Sequence, residues 1–490
     1  MNIRIYLVFF LTLIFSISIF SQQAGEIIWE KSYGGEAYDE IMSVTESPFG
    51  GYLGAGYTQS FGLGRWGNAF FVKTDVNGDS VWTYHLGGEG IDVFADLITT
   101  PDSMFVAAGL TDTENDFENI YLVKINDDGI VQWEKNFGGP EKEVGQALTN
   151  SHDGGIIITG VTKSFSVGEE DLFIFKTNLN GDSLWFKTYG TTGNDGGYGI
   201  SPTTDGGYII TGIYNWSDIW LLKIDADGDT LWTSVIGGSD FEEGLSVKQT
   251  YDGGYIIAGS TASFGAGQLD AFLVKTDSLG NVKWQKTYGG AGYDEGRRVI
   301  INNSNEYVLM GNTDSSSPGE FNYLIVWTDL NGDTIRTKTY GDAGEDRCYD
   351  IISIGEEYLL IAASNYSPAT DGDASLLLIR SGNEPSGVDP SDNTIPSGFK
   401  LYDAYPNPFN PTTTIKFEVP NVSSTEGRNT KISLIVYDLL GNQIATLVDD
   451  ERSSGIYDVT FDADGLASGV YYYTLKAGEF TKTNKMILLK

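Results

Sequence analysis

Short apolar runs bounded by Gly, Asp or Asn fill the middle of the chain. Ala271-Phe-Leu-Val-Lys275 is one such run, and Asp225-Ala-Asp-Gly-Asp229 and Asp252-Gly-Gly-Tyr255 are typical boundaries. Runs of this length between turn residues predict β-strands joined by tight hairpins. No segment of this region carries a helical period.

The pattern repeats. Trp stands at Trp29, Trp82, Trp133, Trp185, Trp232 and Trp284, with Arg336 at the seventh place. An aromatic or apolar residue and a Gly follow each, as in Tyr33-Gly34, Phe137-Gly138 and Tyr340-Gly341. Each unit offers four strand patterns over about fifty residues, which is the arithmetic of a propeller blade. A seven-bladed β-propeller over residues 22–381 is therefore expected. The strand pattern 27–33 precedes any complete unit, and the last unit, ending at Arg380, lacks a fourth strand. The first strand is expected to complete the last blade, which removes an exposed edge.

A polar stretch with Pro and Gly, residues 382–398, reads as a linker. Residues 399–490 show strand patterns at 413–419, 431–438, 455–461, 469–476 and 480–489, the signature of a small β-sandwich. The fold class is all-β throughout. Residues 1–21 differ: Arg4 precedes the apolar run Ile5 to Phe20, and Ser21 is a small residue at a cleavage point. This is the pattern of a secretory signal. The run falls short of the roughly 20 apolar residues of a spanning helix. No membrane span is expected in the mature chain.

Composition narrows the function. The chain has 67 acidic residues against 30 basic ones, a net charge of -37, which argues against nucleic acid and anionic lipid as partners. One Cys excludes an internal disulfide and cysteine-rich metal sites, and two His leave little for His-based catalysis. No nucleophile elbow or phosphate loop appears.

The C-terminal segment contains Tyr405-Pro-Asn-Pro-Phe-Asn-Pro-Thr-Thr-Thr-Ile415, Val436-Tyr-Asp-Leu-Leu-Gly441, Leu466-Ala-Ser-Gly-Val-Tyr-Tyr472 and Lys485-Met-Ile-Leu-Leu-Lys490. It resembles the type A C-terminal sorting domain of the type IX secretion system of Gram-negative bacteria. That resemblance implies an Ig-like sandwich, the type IX machinery as a partner, and a secreted or outer-surface location. It assigns the sorting motif to Pro406, Asn407, Pro408, Gly441, Gly469, Tyr471, Lys485 and Lys490. The repeats are similar to secreted propellers with Asp-Gly-Gly-Tyr and Tyr-Gly-Gly signatures. Gly280 and Trp284 also keep the spacing of tryptophan-docking repeats.

One series of acids is in register across all seven units: Asp39, Asp92, Glu143, Asp195, Glu242, Asp294 and Asp346. Each is expected to begin an innermost strand. Seven carboxylates at one mouth of the channel would form a cation site or a docking rim for a basic partner. Alternatively, each accepts backbone N–H bonds at its own blade junction. Turns such as Asp75-Val-Asn-Gly-Asp79 look like fragments of calcium loops but lack the closing Glu, so hairpins are the better reading. Cys348 stands where sister units have Gly145, Gly197, Gly244 and Gly296, the place of an inert core thiol. No cofactor is called for, and calcium is the one ion the acids would take.

The reading that follows is an exported, non-enzymatic binding or adhesion module with a protein or glycan ligand. The second-to-third-strand loops, on the side of the acid ring, would carry the binding face. An extracellular polysaccharide hydrolase or lyase, and a structural surface-layer protein, are the alternatives.

Overall fold

The computed structural model describes residues 25–62, 66–112, 118–302, 304–315, 320–355, 358–367, 370–381, 399–402, 404, 411–420, 430–438, 442–452, 455–463, 465–467, 469–478 and 480–488. The apolar segment 1–21 and the whole of the linker, 382–398, lie outside these residues. The chain divides into two compact units, 1–385 and 386–490.

The first unit is a seven-bladed β-propeller built from seven four-stranded antiparallel sheets. The innermost strands are Asp39–Glu46, Asp92–Thr99, Glu143–Asn150, Gly196–Pro202, Glu242–Gln249, Asp294–Ile301 and Glu345–Ile354, which number the blades 1 to 7. Blades 1 to 6 run in chain order from the innermost strand outward. In blade 7 the outermost strand is the N-terminal Ile27–Tyr33, paired antiparallel with Thr370–Arg380. Its register sets Trp29 against Leu378 and Tyr33 against Ala374.

The core lies between blades. Seven buried clusters each draw on two neighbouring blades, one cluster per seam. The repeated Trp series closes the outer edge of these seams. Each Trp lies over the third-to-fourth-strand turn of the following blade. There a Cβ on Gly78, Gly181 or Gly228 would come 2.8, 3.1 and 2.9 Å from Trp29, Trp133 and Trp185. These glycines also hold φ of 77°, 72° and 82°, the left-handed region that L side chains avoid. The turn therefore needs Gly twice over. By the same rule Gly280 receives Trp232 of the preceding blade, not Trp284 of its own. The indoles of Trp82 and Trp133 donate to Asp127 O at 3.0 Å and Leu179 O at 3.1 Å.

Arg336 is the exception in that series, and the register explains it. In blades 1 to 5 a buried Lys faces the Trp across the third and fourth strands: Lys73–Trp82, Lys124–Trp133, Lys176–Trp185, Lys223–Trp232 and Lys275–Trp284. In blade 6 the pair is exchanged. Trp327 takes the third strand and Arg336 the fourth, with the guanidinium 4.6 Å from the indole centroid. Arg336 Nη2 donates to Ser381 O at 2.9 Å and so replaces the missing indole donor.

The second unit is a two-sheet sandwich. One sheet is ordered Lys400–Leu401, Thr412–Val419, Gly455–Asp462. The other is ordered Gln443–Arg452, Thr430–Tyr437, Gly469–Ala477, Phe480–Leu488. Alternate residues Ile432, Leu434, Val436, Tyr473 and Leu475 point into a shared core with Ile415 and Phe417. The strand Gln443–Arg452 was not expected from its sequence, because it ends in Asp449, Asp450, Glu451 and Arg452.

Candidate functional site

The seven in-register acids stand at the starts of the innermost strands and are buried, none more than 2 % exposed. Each holds the loop that enters its blade. Asp39, Glu143, Asp195, Glu242, Asp294 and Asp346 accept from Gly35 N, Gly139 N, Thr191 N, Gly238 N, Gly290 N and Asp342 N at 2.6–2.9 Å. Asp92 accepts from Gly88 N at 2.8 Å. The second oxygen of several takes a bond from the second-to-third-strand loop, as with Ser164 N on Glu143 at 2.9 Å and Asn215 N on Asp195 at 2.8 Å. One carboxylate thus ties two loops of the same face together. Burial and the charges of Asp342 and Glu30 push the Asp346 carboxyl up to about 6, although Asp342 N–H opposes the rise. Among the described residues no group of three or more His, Cys, Asp or Glu converges as a metal site.

The aspartates of the calcium-like turns are used locally as well. Asp75 Oδ1 accepts from Asn77 N at 2.8 Å and Asp79 N at 2.9 Å, and Asp329 repeats the geometry. These backbone bonds hold both carboxylates below their usual range. Cys348 is fully buried, its thiol against Gly311 O at 2.9 Å, and burial pushes it up to about 12.

What faces the channel is a different set of residues. Every innermost strand has a bulge, at Met42, Ala95, Gln146, Tyr198, Leu245, Arg297 and Tyr349. A bulge turns two successive residues to one side. In blades 1 to 6 it is admitted by a Gly on the second strand. A Cβ on Gly56, Gly160 or Gly311 would lie 2.1, 1.9 and 1.7 Å from the carbonyl oxygens of Glu40, Val144 and Glu295. The scaffold is therefore repeated, but the side chains it presents are not.

At the loop-side mouth the side chains form a crescent over blades 4, 5, 6, 7 and 1. Glu243 of blade 5 lies in the fields of Glu295 and Arg297 of blade 6. Arg297 reaches Glu295 at 3.3 Å and covers the Tyr349 ring of blade 7 at 5.2 Å. Arg347 pairs with Glu345 at 2.5 Å and with Glu295 at 4.0 Å, and lies 4.3 Å over the Phe321 ring. Tyr38 donates to Glu40 at 2.8 Å in blade 1, and Tyr349 stands beside both. Blade 4 adds Tyr198, next to Glu243. Blades 2 and 3 complete the circle with Val93, Ala95, Val144 and Gln146. The mouth is thus charged and aromatic along one arc and small and mostly apolar along the other. Burial, reinforced by Glu295 and opposed by Arg297, pushes the Glu243 carboxyl up to about 7. Burial also raises the Tyr38, Tyr198 and Tyr349 hydroxyls, so all three remain protonated donors at neutral pH.

Residues 403–489 match the family described as a secretion system C-terminal sorting domain. The chain carries a type IX sorting domain. That domain marks it as secreted from, or anchored at the outer surface of, a Bacteroidetes cell, and implies contact with the type IX machinery. Of the residues expected to form the sorting motif, Gly469, Tyr471 and Lys485 lie in the last two strands. Tyr471 donates to Ala467 O at 2.8 Å. Pro406, Asn407, Pro408, Gly441 and Lys490 fall outside the described residues. No helix among the described residues is long and apolar enough to cross a membrane.

No curated protein sequence matches the chain. Solved structures do. PorZ, a surface component of the type IX system of Porphyromonas gingivalis, is 12 % identical at TM-score 0.42. That match covers 94 % of this chain but only 61 % of PorZ. A protein of unknown function from Dyadobacter fermentans is 11 % identical at TM-score 0.43, over 73 % of this chain and 99 % of that one. The BP39L lectin of Burkholderia pseudomallei is 8 % identical at TM-score 0.47, over 71 % and 98 %.

Proposed function

We propose that the mature chain is an exported, non-enzymatic binding module whose propeller takes a glycan at its loop-side mouth. Residues 1–21 act as a leader removed during export, and the sorting domain, through the motif from Pro406 to Lys490, delivers the propeller to the surface. The seven junction acids serve this reading indirectly. They hold the loops that frame the mouth and leave ligand contact to the crescent.

The observation that carries the reading is the broken symmetry of the channel wall. Positions that serve the repeat keep their residues, whereas the lining changes from Glu243, Glu295, Arg297, Arg347 and Tyr349 to Val93, Ala95 and Val144. A sugar ring has the matching two-sidedness, with hydroxyl edges for Glu and Arg and an apolar C–H face for aromatic and aliphatic walls. The test is a glycan array probed with the mature chain, followed by calorimetry on the hits. Arg297→Ala is expected to weaken the best hit at least about tenfold, the loss of a charged hydrogen bond. Equal binding by Arg297→Ala and the parent would refute the site.

One observation favours the hydrolase alternative. A carboxyl raised to about 7 beside a carboxylate held by arginines is the pairing that general acid–base chemistry uses. Reducing-end release from the bound glycan, lost in Glu243→Gln, would replace the binding reading with this one.

A further inference from the structure

The other half of the channel is not filled. A cavity of about 420 Å³ opens on the hairpin side, lined by the later residues of all seven innermost strands. Four charged side chains stand in its wall: Asp96, Lys248, Arg298 and Asp350.

Three of them are committed to the protein. Asp96 accepts from Leu97 N and Leu148 N, each at 2.9 Å. Asp350 accepts from Val44 N at 3.1 Å and from Arg298 Nε at 3.3 Å. Ser43 Oγ lies 2.9 Å from Asp96 and 3.0 Å from Asp350, so its one proton serves either acid in turn. Arg298 also donates through Nη1 to Leu245 O at 3.4 Å. These bonds cross the blade seams and form the floor of the cavity.

Lys248 is the fourth, and it makes no hydrogen bond or ion pair among the described residues. Its side chain is exposed, but to the water of the channel. Enclosure and the Arg298 charge both hold the ammonium below its ordinary range, against the pull of Asp350 and Asp96. Around it stand the hydroxyls of Thr149, Ser201 and Ser353, and Ile98, Ile300 and Ile352 supply apolar wall. The five lysines that face the Trp series in blades 1 to 5 are all paired with an Asp. An unpaired cation inside a lined cavity is a different use of the residue.

We infer that this cavity binds a small hydroxylated monocarboxylate, of the sugar-acid class, with its carboxylate on Lys248 and its hydroxyls on the Thr and Ser wall. The size fits, since small-molecule sites run from about 300 Å³ upward. The single uncommitted positive charge matches one carboxylate. The overall acidity of the chain does not forbid it, because exposed charges are screened beyond roughly 8 Å at physiological salt. The site does not rest on the loop-side reading, since it opens at the opposite end of the channel.

Titration calorimetry of the mature chain with D-glucuronate and D-glucose tests it. Glucuronate is expected to bind at least tenfold more tightly than glucose. Lys248→Met is expected to abolish the difference, and Lys248→Arg to keep most of it. Lys283→Met removes the same charge from an exposed strand and is expected to change nothing. Equal binding of the two sugars to the parent chain overturns the assignment without any variant. So does undiminished glucuronate binding by a Lys248→Met protein with the parent's melting temperature.

Discussion

Glu243 shows how a single residue registers its surroundings. Its carboxyl is raised from an ordinary 4.5 to about 7 in the folded chain. Between those values the native state holds more protons than the unfolded one, so this stabilising contribution is complete below about pH 4.5 and is lost as pH rises through 7. Glu243→Gln removes the ionisation. It is expected to raise stability at pH 8 by on the order of 2 kcal/mol, and by little at pH 5. Melting curves of both proteins at the two pH values check this, and an equal gain at both would mean that burial is not the cause. The junction acids matter through the donors they satisfy, chiefly backbone N–H groups of the loops. Glu143→Ala strips Gly139 N, Ser164 N and the Thr162 hydroxyl of their acceptor and is expected to cost roughly 2–4 kcal/mol in urea unfolding. These acids were visible in the sequence because they recur. The crescent was not, because Glu243, Arg297 and Tyr349 occupy positions where sister blades carry unrelated residues. Recurrence reveals what the repeat needs. The departures from it, read along one strand position, are the signal that would have exposed the mouth.

At the scale of the element, the strand patterns and turns were legible because each blade alternates apolar runs with Asp-Gly or Asn-Gly corners. The bulge was not, since one extra residue leaves no mark on a pattern already rich in Gly. The exchanged pair in blade 6 was also hidden, because Arg336 read as a lost Trp until the register placed Trp327 opposite it. The exchange makes a quantitative prediction. Trp327→Lys leaves two cations face to face, and Arg336→Trp sets two indoles in one slot. The double variant restores the arrangement of the sister blades. Thermal unfolding of the four proteins is expected to give a favourable coupling of about 1–2 kcal/mol between the two changes. Additive losses would show that blade 6 does not use the pair as the other blades do.

On the scale of the molecule, the seven seams form a closed circuit in which each blade passes a Trp or Arg to the next. Closure depends on Ile27–Tyr33, which gives the last sheet its fourth strand and sets Trp29 over the turn of blade 1. A chain lacking residues 1–33 exposes the edge of Thr370–Arg380 and loses Trp29 and Tyr33 from the seam between blades 7 and 1. It is expected to associate through that edge, and light scattering after size exclusion would report dimers or larger species. A monomer with the parent's melting point would mean that the ring closes without this strand.

The clasp has a mechanical corollary. Ile27 faces Ile379, and Gly25 and Glu26 exchange further backbone bonds with Arg380, so the outgoing ends of the two clasped strands lie side by side. A pull applied between them loads the ladder one hydrogen bond at a time, as a zip, and not all together in shear. A pull between those two ends is therefore expected to open the propeller first at its own fastening.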